Sequence, residues 1–266
     1  MARFKVGVQL HPQHTSIDDL RRAWREADEL GVDSIWTWDH FFPLYDPDTA
    51  HTPGRPSGDH TGAHFEGWSL LAAMAVDTER AQLGVLVTCN SYRNPELLAD
   101  MARTVDHLSG GRAILGIGAG WFEKDYEEYG YEFGTAPSRL RDLEAALPRI
   151  KQRLGKLNPP PIGPLPILIG GSGEKVTLRL VAQHAGAWNT FGPPEHFAAK
   201  SRVLDERCAE VGRDPNEIER TVAFNDAGEV EKLDAYLEVG AQHVILGRDH
   251  PFDLAPVRAL LEARDR

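Results

Sequence analysis

Four groups of residues have types and spacings that could do chemistry. The first is Asp39-His40, which closes the run Ser34-Ile-Trp-Thr-Trp38. An imidazole titrates near neutral pH, and an adjacent carboxylate can orient it for acid–base work. The same position equally allows a hydrogen-bonded structural histidine. The second group is Gly170-Gly-Ser-Gly173, a turn of small residues between an apolar run and a helix-like segment starting near Glu174. A strand, a tight turn and a helix start leave backbone N–H groups unpaired at a positive dipole end, which suits a phosphate. An ordinary tight turn has the same composition, and Glu174 would repel phosphate unless it points outward. The third group is His60 and His64, with His51 and Asp59 nearby. No HExxH accompanies them and Gly62 weakens a helical i, i+4 geometry, so a solvated loop is expected and no metal. The fourth is Cys89, for which no Cys-His signature supports a nucleophile; lining a pocket is its expected role.

The elements that would position these groups follow from alternating apolar runs and helical periodicity. Strand-like runs cover Phe4 to Leu10, Ser34 to Trp38, Gln82 to Val87, Ala113 to Gly118, Pro166 to Ile169, Ala187 to Thr190, Glu219 to Phe224 and His243 to Leu246. Helix candidates are Ile17 to Leu30, Trp68 to Asp77, Pro95 to Leu108, Arg139 to Leu154, Glu174 to His184, Pro194 to Val211, Glu229 to Val239 and Phe252 to Ala263. Ser16, followed by Asp18 and Asp19, reads as an N-cap, and Gly31, Gly110, Gly186, Gly212 and Gly240 sit where C-caps are expected. An open doubly wound sheet is the alternative, but its GxGxxG turn is missing after the first strand, where Gln9-Leu-His-Pro12 stands. The expected fold is therefore α/β, a single (βα)8 TIM barrel over residues 1–266. Such barrels build their active sites at the C-terminal ends of the strands. That rule selects Gln9 and His11, Asp39 and His40, Thr88, Cys89 and Asn90, Gly118 to Trp121, Gly170 to Gly173, and Asn189 to Phe191. Phe41 to Phe65 reads as a long polar loop beside these ends.

With 29 Lys plus Arg against 40 Asp plus Glu, the formal charge is −11, which argues against nucleic acid as a partner. Cys89 and Cys208 are too few for a disulfide scaffold and are expected to be thiols. The chain carries no signal-like apolar core and no apolar run of about 18 residues, so neither membrane insertion nor export is expected and a cytoplasmic location is.

Five ordered segments together resemble the luciferase-like family: Ser34-Ile-Trp-Thr-Trp-Asp-His40; Leu83-Gly-Val-Leu-Val-Thr88 leading to Arg93-Asn-Pro95; Ser109-Gly-Gly-Arg-Ala-Ile-Leu-Gly-Ile-Gly-Ala-Gly-Trp121; Pro166-Ile-Leu-Ile-Gly-Gly-Ser-Gly173; and Ala185-Gly-Ala-Trp-Asn189. The resemblance implies a βα barrel that holds coenzyme F420, or alternatively FMN, at its mouth. It assigns Gly170, Gly171, Ser172 and Gly173 to the phosphate, and Asp39, His40, Thr88, Cys89, Gly118, Ala119, Asn189 and Thr190 to the ring and its polyol tail. It also implies a non-proline cis peptide within Leu86-Val87-Thr88, a small-molecule substrate, a homodimer, and in the FMN case a separate reductase. Trp121 stands where the sugar-phosphate dehydrogenase branch has a catalytic glutamate, which argues against that substrate. The short connections before the fifth strand and after the seventh argue against light emission.

The leading expectation is an F420-dependent oxidoreductase in which His40, with Asp39, orients the substrate or handles a proton. An FMN-dependent monooxygenase and a cofactor-binding or catalytically inert barrel are the alternatives. Arg55 and Lys175 are candidate cations for a negatively charged cofactor tail.

Overall fold

The computed structural model describes residues 4–46, 56–58 and 60–266. Its strands are β1 (Lys5–Leu10), β2 (Ser34–Thr37), β3 (Gln82–Val85), β4 (Thr88–Cys89), β5 (Ala113–Gly118), β6 (Ile167–Gly170), β7 (Ala187–Thr190), β8 (Glu219–Phe224) and β9 (His243–Arg248). All pairings between them are parallel, in the order β3-β2-β1-β9-β8-β7-β6-β5-β4. A further pairing of β3 with β5 closes the sheet. Because β3 and β4 are two halves of one stave, the closed figure has eight staves, the expected (βα)8 barrel. The helices are α1 (Ile17–Leu30), α2 (Gly67–Asp77), α3 (Pro95–Leu108), α4 (Glu123–Tyr129), α5 (Ala136–Leu154), α6 (Thr177–His184), α7 (Pro194–Glu210), α8 (Leu233–Glu238) and α9 (Ala255–Asp265). Among the described residues, no helix is long and apolar enough to cross a membrane.

Strand periodicity divides the core in two. Val6, Val8, Ile35, Leu115, Ile169, Val222, Val244 and Leu246 face outward and pack with helix residues such as Trp24, Leu71, Leu147 and Val181. The residues between them, Trp36, Ile114, Leu168, Ala187, Ala223 and Ile245, fill the barrel interior. Local chemistry sets the helix ends. Ser16 accepts from the Asp19 amide to start α1, and Gly31, at φ 85°, ends it. Gly186 is not a helix cap: α6 ends at His184 with Ala185 as its cap, and the Gly186 amide already donates to the Ile167 carbonyl. The expected last helices begin later than the periodicity suggests, because Ala227–Lys232 forms a 3-10 segment and α9 starts at Ala255.

The third stave carries an irregularity that shapes the barrel mouth. Gly84 pairs with Ile114 and Thr88 with Ile117, so this stave takes four residue steps where β5 takes three. The surplus residue makes a bulge, and the Leu86–Val87 peptide within it is cis, where the family resemblance implied one. The bulge is tied down by neighbours, since the Leu86 amide donates to Thr37 and its carbonyl accepts from Gln9 Nε2 at 2.8 Å. Val87 thereby turns into the barrel, and the interior positions facing it are glycines. A Cβ on Gly118 would lie 2.8 Å from Val87 Cγ2, and one on Gly170 3.0 Å from Val87 Cγ1.

Gly116 meets the same stave even more closely, because a Cβ there would lie 2.1 Å from the Val85 carbonyl oxygen. Backbone cannot yield as a side chain can, so Gly116→Ala is expected to destabilise the protein by about 3 kcal/mol or more. A denaturant midpoint within error of wild type would show that the close approach is not a constraint.

Candidate active site

At the carboxyl ends of the strands lies a cavity of about 390 Å³. One wall is built of small residues, Gly118, Ala119 and Gly120 at the end of β5 and Gly170 and Gly171 at the end of β6, with Val87 between them. β1 lies four staves from β6 in the closed order, directly across the barrel. From that side and from β2 come His11, Trp38 and His40. Trp121 and Phe191 stand at the rim, 38% and 42% exposed.

His40 is held from behind. Its Nδ1 lies 2.7 Å from Asp125 Oδ2, and Asp125 is fully buried. The Phe41 amide and the Tyr92 hydroxyl also donate to that carboxylate, at 2.9 and 2.8 Å. Trp38, Trp121 and Phe122 pack edge-on against the ring. His40 Nε2 has no partner among the described residues, and the ring lines the cavity.

Asp39 has other partners than His40. Its carboxylate takes a bidentate contact from Arg93, at 2.6 and 2.9 Å, and a third bond from the Cys89 amide. Arg93 also reaches Glu66, whose side chain caps α2. Burial pushes the Asp39 carboxyl up to about 6 against the pull of Arg93. The expectation that Asp39 orients His40 is therefore corrected: Asp39 lines the cavity floor as part of a tether between the ends of β2 and β4, and Asp125 orients the histidine. A second imidazole, His11, stacks on Trp38 with ring centroids 4.3 Å apart, while its Nδ1 meets Tyr45 and Asp249.

The remaining expected residues divide. Cys89 lines the cavity with its thiol against the Tyr126 hydroxyl, and burial raises its pKa. Thr88 also lines it and accepts from Trp68 Nε1, and Asn189 donates to Thr221. Thr190 is buried beside the cavity without lining it. Ser172 and Gly173 lie beyond the lining, in the turn after β6. The Gly171 amide is not free there, since it donates to the Asn189 carbonyl at 2.9 Å. α6 starts at Thr177, later than expected. The amides of Ser172, Gly173 and Glu174 consequently have no acceptor among the described residues. Glu174 turns outward to Lys200, 2.6 Å away, so it does not face the turn. Lys175 is exposed, and Arg55 lies outside the described residues.

In the loop, His60 Nδ1 meets the Pro43 carbonyl and His64 Nε2 accepts from Trp38 Nε1. Burial drives His64 down to about 3, which keeps it the neutral acceptor that this bond requires. His51 and Asp59 lie outside the described residues.

Residues 1–226 match the family model of the luciferase-like monooxygenases. The chain belongs to that family. An uncharacterized protein from Mycobacterium tuberculosis is 26% identical over 233 residues, covering 78% of this chain and 82% of that protein. The phthiodiolone/phenolphthiodiolone dimycocerosates ketoreductase of the same species is 28% identical over 237 residues, covering 80% of this chain and 62% of the ketoreductase. Among solved structures, an F420-dependent secondary alcohol dehydrogenase in complex with an F420-acetone adduct superposes with a TM-score of 0.83 at 16% identity, over 98% of each chain. The oxygenating constituent of 3,6-diketocamphane monooxygenase from Pseudomonas putida, in complex with FMN, gives 0.71 at 14% identity over 97% of this chain and 95% of that one. At these identities the structural likeness speaks for the luciferase-like fold.

Sequence reasoning missed Asp125, Tyr92 and α4. α4 spans seven residues, about two turns, too few for an apolar period to repeat. The available signal was the aromatic and acidic run Trp121-Phe-Glu-Lys-Asp-Tyr126 directly after a strand end.

The turn after β6 yields a test that leaves the backbone undisturbed. Gly171 is unsuited to it, because at φ 119° any side chain is strained. Ser172→Glu instead sets a carboxylate beside the unpaired amides. It is expected to weaken binding of a phosphate-bearing flavin or deazaflavin by roughly tenfold, about 1.4 kcal/mol, with circular dichroism unchanged. Unchanged affinity in the folded variant would remove the turn from the phosphate site.

Proposed function

We propose that the protein is an F420-dependent oxidoreductase acting on a small, uncharged organic substrate, with His40 handling the proton. The observation that carries the reading is the His40 ring, which lines the cavity and has its Nε2 without a protein partner while its Nδ1 is bonded from behind. A family of oxidoreductases and a neighbour whose structure holds an F420-acetone adduct support the choice of chemistry.

The residues present fit such a cofactor. Glycine at 118 and 170 and Ala119 give a low wall along the cavity, and Val87 rises from it as an apolar shelf for a planar ring. The cavity volume lies within the ~300–1,000 Å³ usual for ligand pockets. The amides of Ser172, Gly173 and Glu174 would hold the phosphate. When bound, the deazaflavin supplies a carbon, C5, that accepts or delivers a hydride.

The protein's own part is positional and protic. Oxidation of an alcohol to a carbonyl releases a hydride and a proton, and His40 Nε2 is placed to take the proton, returning it in the reverse direction. Trp121, Phe191 and Trp38 keep water from the reacting atoms. No Lys or Arg lines the cavity among the described residues, and Asp39 is already paired with Arg93, so an uncharged substrate fits best.

Titration of the purified protein with F420 and with FMN, followed by absorbance, tests the reading. F420 is expected to bind at least roughly tenfold tighter, about 1.4 kcal/mol, and to be reduced by a member of a secondary-alcohol panel. Tighter binding of FMN, with oxygen consumed when reduced FMN is supplied, would replace this reading with a monooxygenase. Binding of neither would leave a barrel without this chemistry.

A further inference from the structure

The proton-handling group just described is anchored by a carboxylate in an unusual setting. Asp125 is fully buried, and its partners among the described residues are His40 Nδ1, the Phe41 amide and the Tyr92 hydroxyl. Neither Arg nor Lys pairs with it among the described residues. The mouth contains a second buried carboxylate, Asp39, and there a bidentate arginine supplies the compensating charge. The contrast is informative, because a buried carboxylate is costly unless paired and fully hydrogen-bonded. A purely structural acid could have been compensated as Asp39 is.

We infer that Asp125, held by Tyr92 and the Phe41 amide, is the positioning residue that keeps His40 in its Nδ1–H tautomer, with Nε2 presented to the cavity as a proton acceptor. This inference rests on the proposed role of His40 and adds to it the group that makes that role directional. The geometry is sufficient. An ionised carboxylate can only accept, so the 2.7 Å contact requires a proton on Nδ1, and in the neutral ring Nε2 is then the lone-pair nitrogen. The Tyr92 and Phe41 donors leave Oδ2 and Oδ1 little freedom to turn away. α4 brings the acid in from behind the ring, and Trp121 and Phe122, at the entrance to α4, pack edge-on against the same imidazole. One short segment thus supplies both the hydrogen bond and the aromatic clamp.

The first readout is the tautomer itself, which needs no substrate. In wild-type protein labelled with ¹⁵N-histidine, the neutral His40 ring is expected to show the pyrrole-type signal at Nδ1 and the pyridine-type signal at Nε2. Asp125→Asn presents an amide that can donate to Nδ1, and it is expected to shift the ring toward the Nε2–H form. It should lower kcat by about 10²-fold or more with KM and cofactor affinity little changed. Tyr92→Phe keeps the carboxylate, so it should keep the wild-type tautomer with a smaller loss of kcat. Pyridine-type signal at Nδ1 of the wild-type ring would overturn the inference, and this holds even if Asp125→Asn fails to fold. Retention of tautomer and kcat in folded Asp125→Asn would also overturn it. Failure to find any turnover with either cofactor would count against the proposed function, while the tautomer of His40 would still decide the role of Asp125.

Discussion

One surplus residue in the third stave governs the shape of the mouth. Four residue steps from Gly84 to Thr88 run beside three from Ile114 to Ile117, and the excess length has to leave the ladder. It leaves inward, at Val87. The barrel interior can admit that side chain only where its neighbours have none, which accounts for glycine at both 118 and 170. The consequence is a cavity with an apolar shelf on one side and open backbone along it. Gln9, reaching from β1 past β2 to the Leu86 carbonyl, ties this irregular stave to the second stave along.

The electrostatics of the mouth follow a consistent plan of internal pairing. Asp39 is answered by Arg93, which also reaches the α2 cap Glu66. His40 is answered by Asp125, and His11 by Tyr45 and Asp249. Pairing each ionisable group behind the wall satisfies it without offering a net charge to the cavity. The two imidazoles that remain on the wall flank Trp38, so a bound molecule meets two imidazole rings within an aromatic enclosure.

Much of the barrel was legible because strand burial follows residue alternation. Ala113–Gly118, Ala187–Thr190 and Glu219–Phe224 have the limits that their apolar patterns suggest. The third stave was not, since a bulge changes hydrogen-bond register without changing composition, and Gln82 to Val87 reads as one strand. The candidate site divides along the same physical line. His40, Thr88, Cys89, Gly118, Ala119, Gly170 and Asn189 line the cavity because strand ends converge by topology. The partner of His40 could not be read the same way. Asp39 is its neighbour in sequence, yet Arg93 and the Cys89 amide engage that carboxylate, and the one that meets the ring arrives from residue 125 on a helix too short to announce itself. The turn at Gly170 to Gly173 was legible as a loop of small residues, but not the backbone bond that withdraws the Gly171 amide from any ligand.

The central claim is that the His40 side chain moves a proton at a cofactor-bearing mouth. The most direct measurement is single-turnover hydride transfer in wild type and His40→Ala, each at saturating F420 and followed by the cofactor's absorbance. The account predicts F420 affinity within about threefold of wild type and a transfer rate lowered by about 10²-fold or more, the range usual for removing a general acid–base. A rate lowered by less than about threefold, with the cofactor fully bound, would contradict it and return His40 to a structural role.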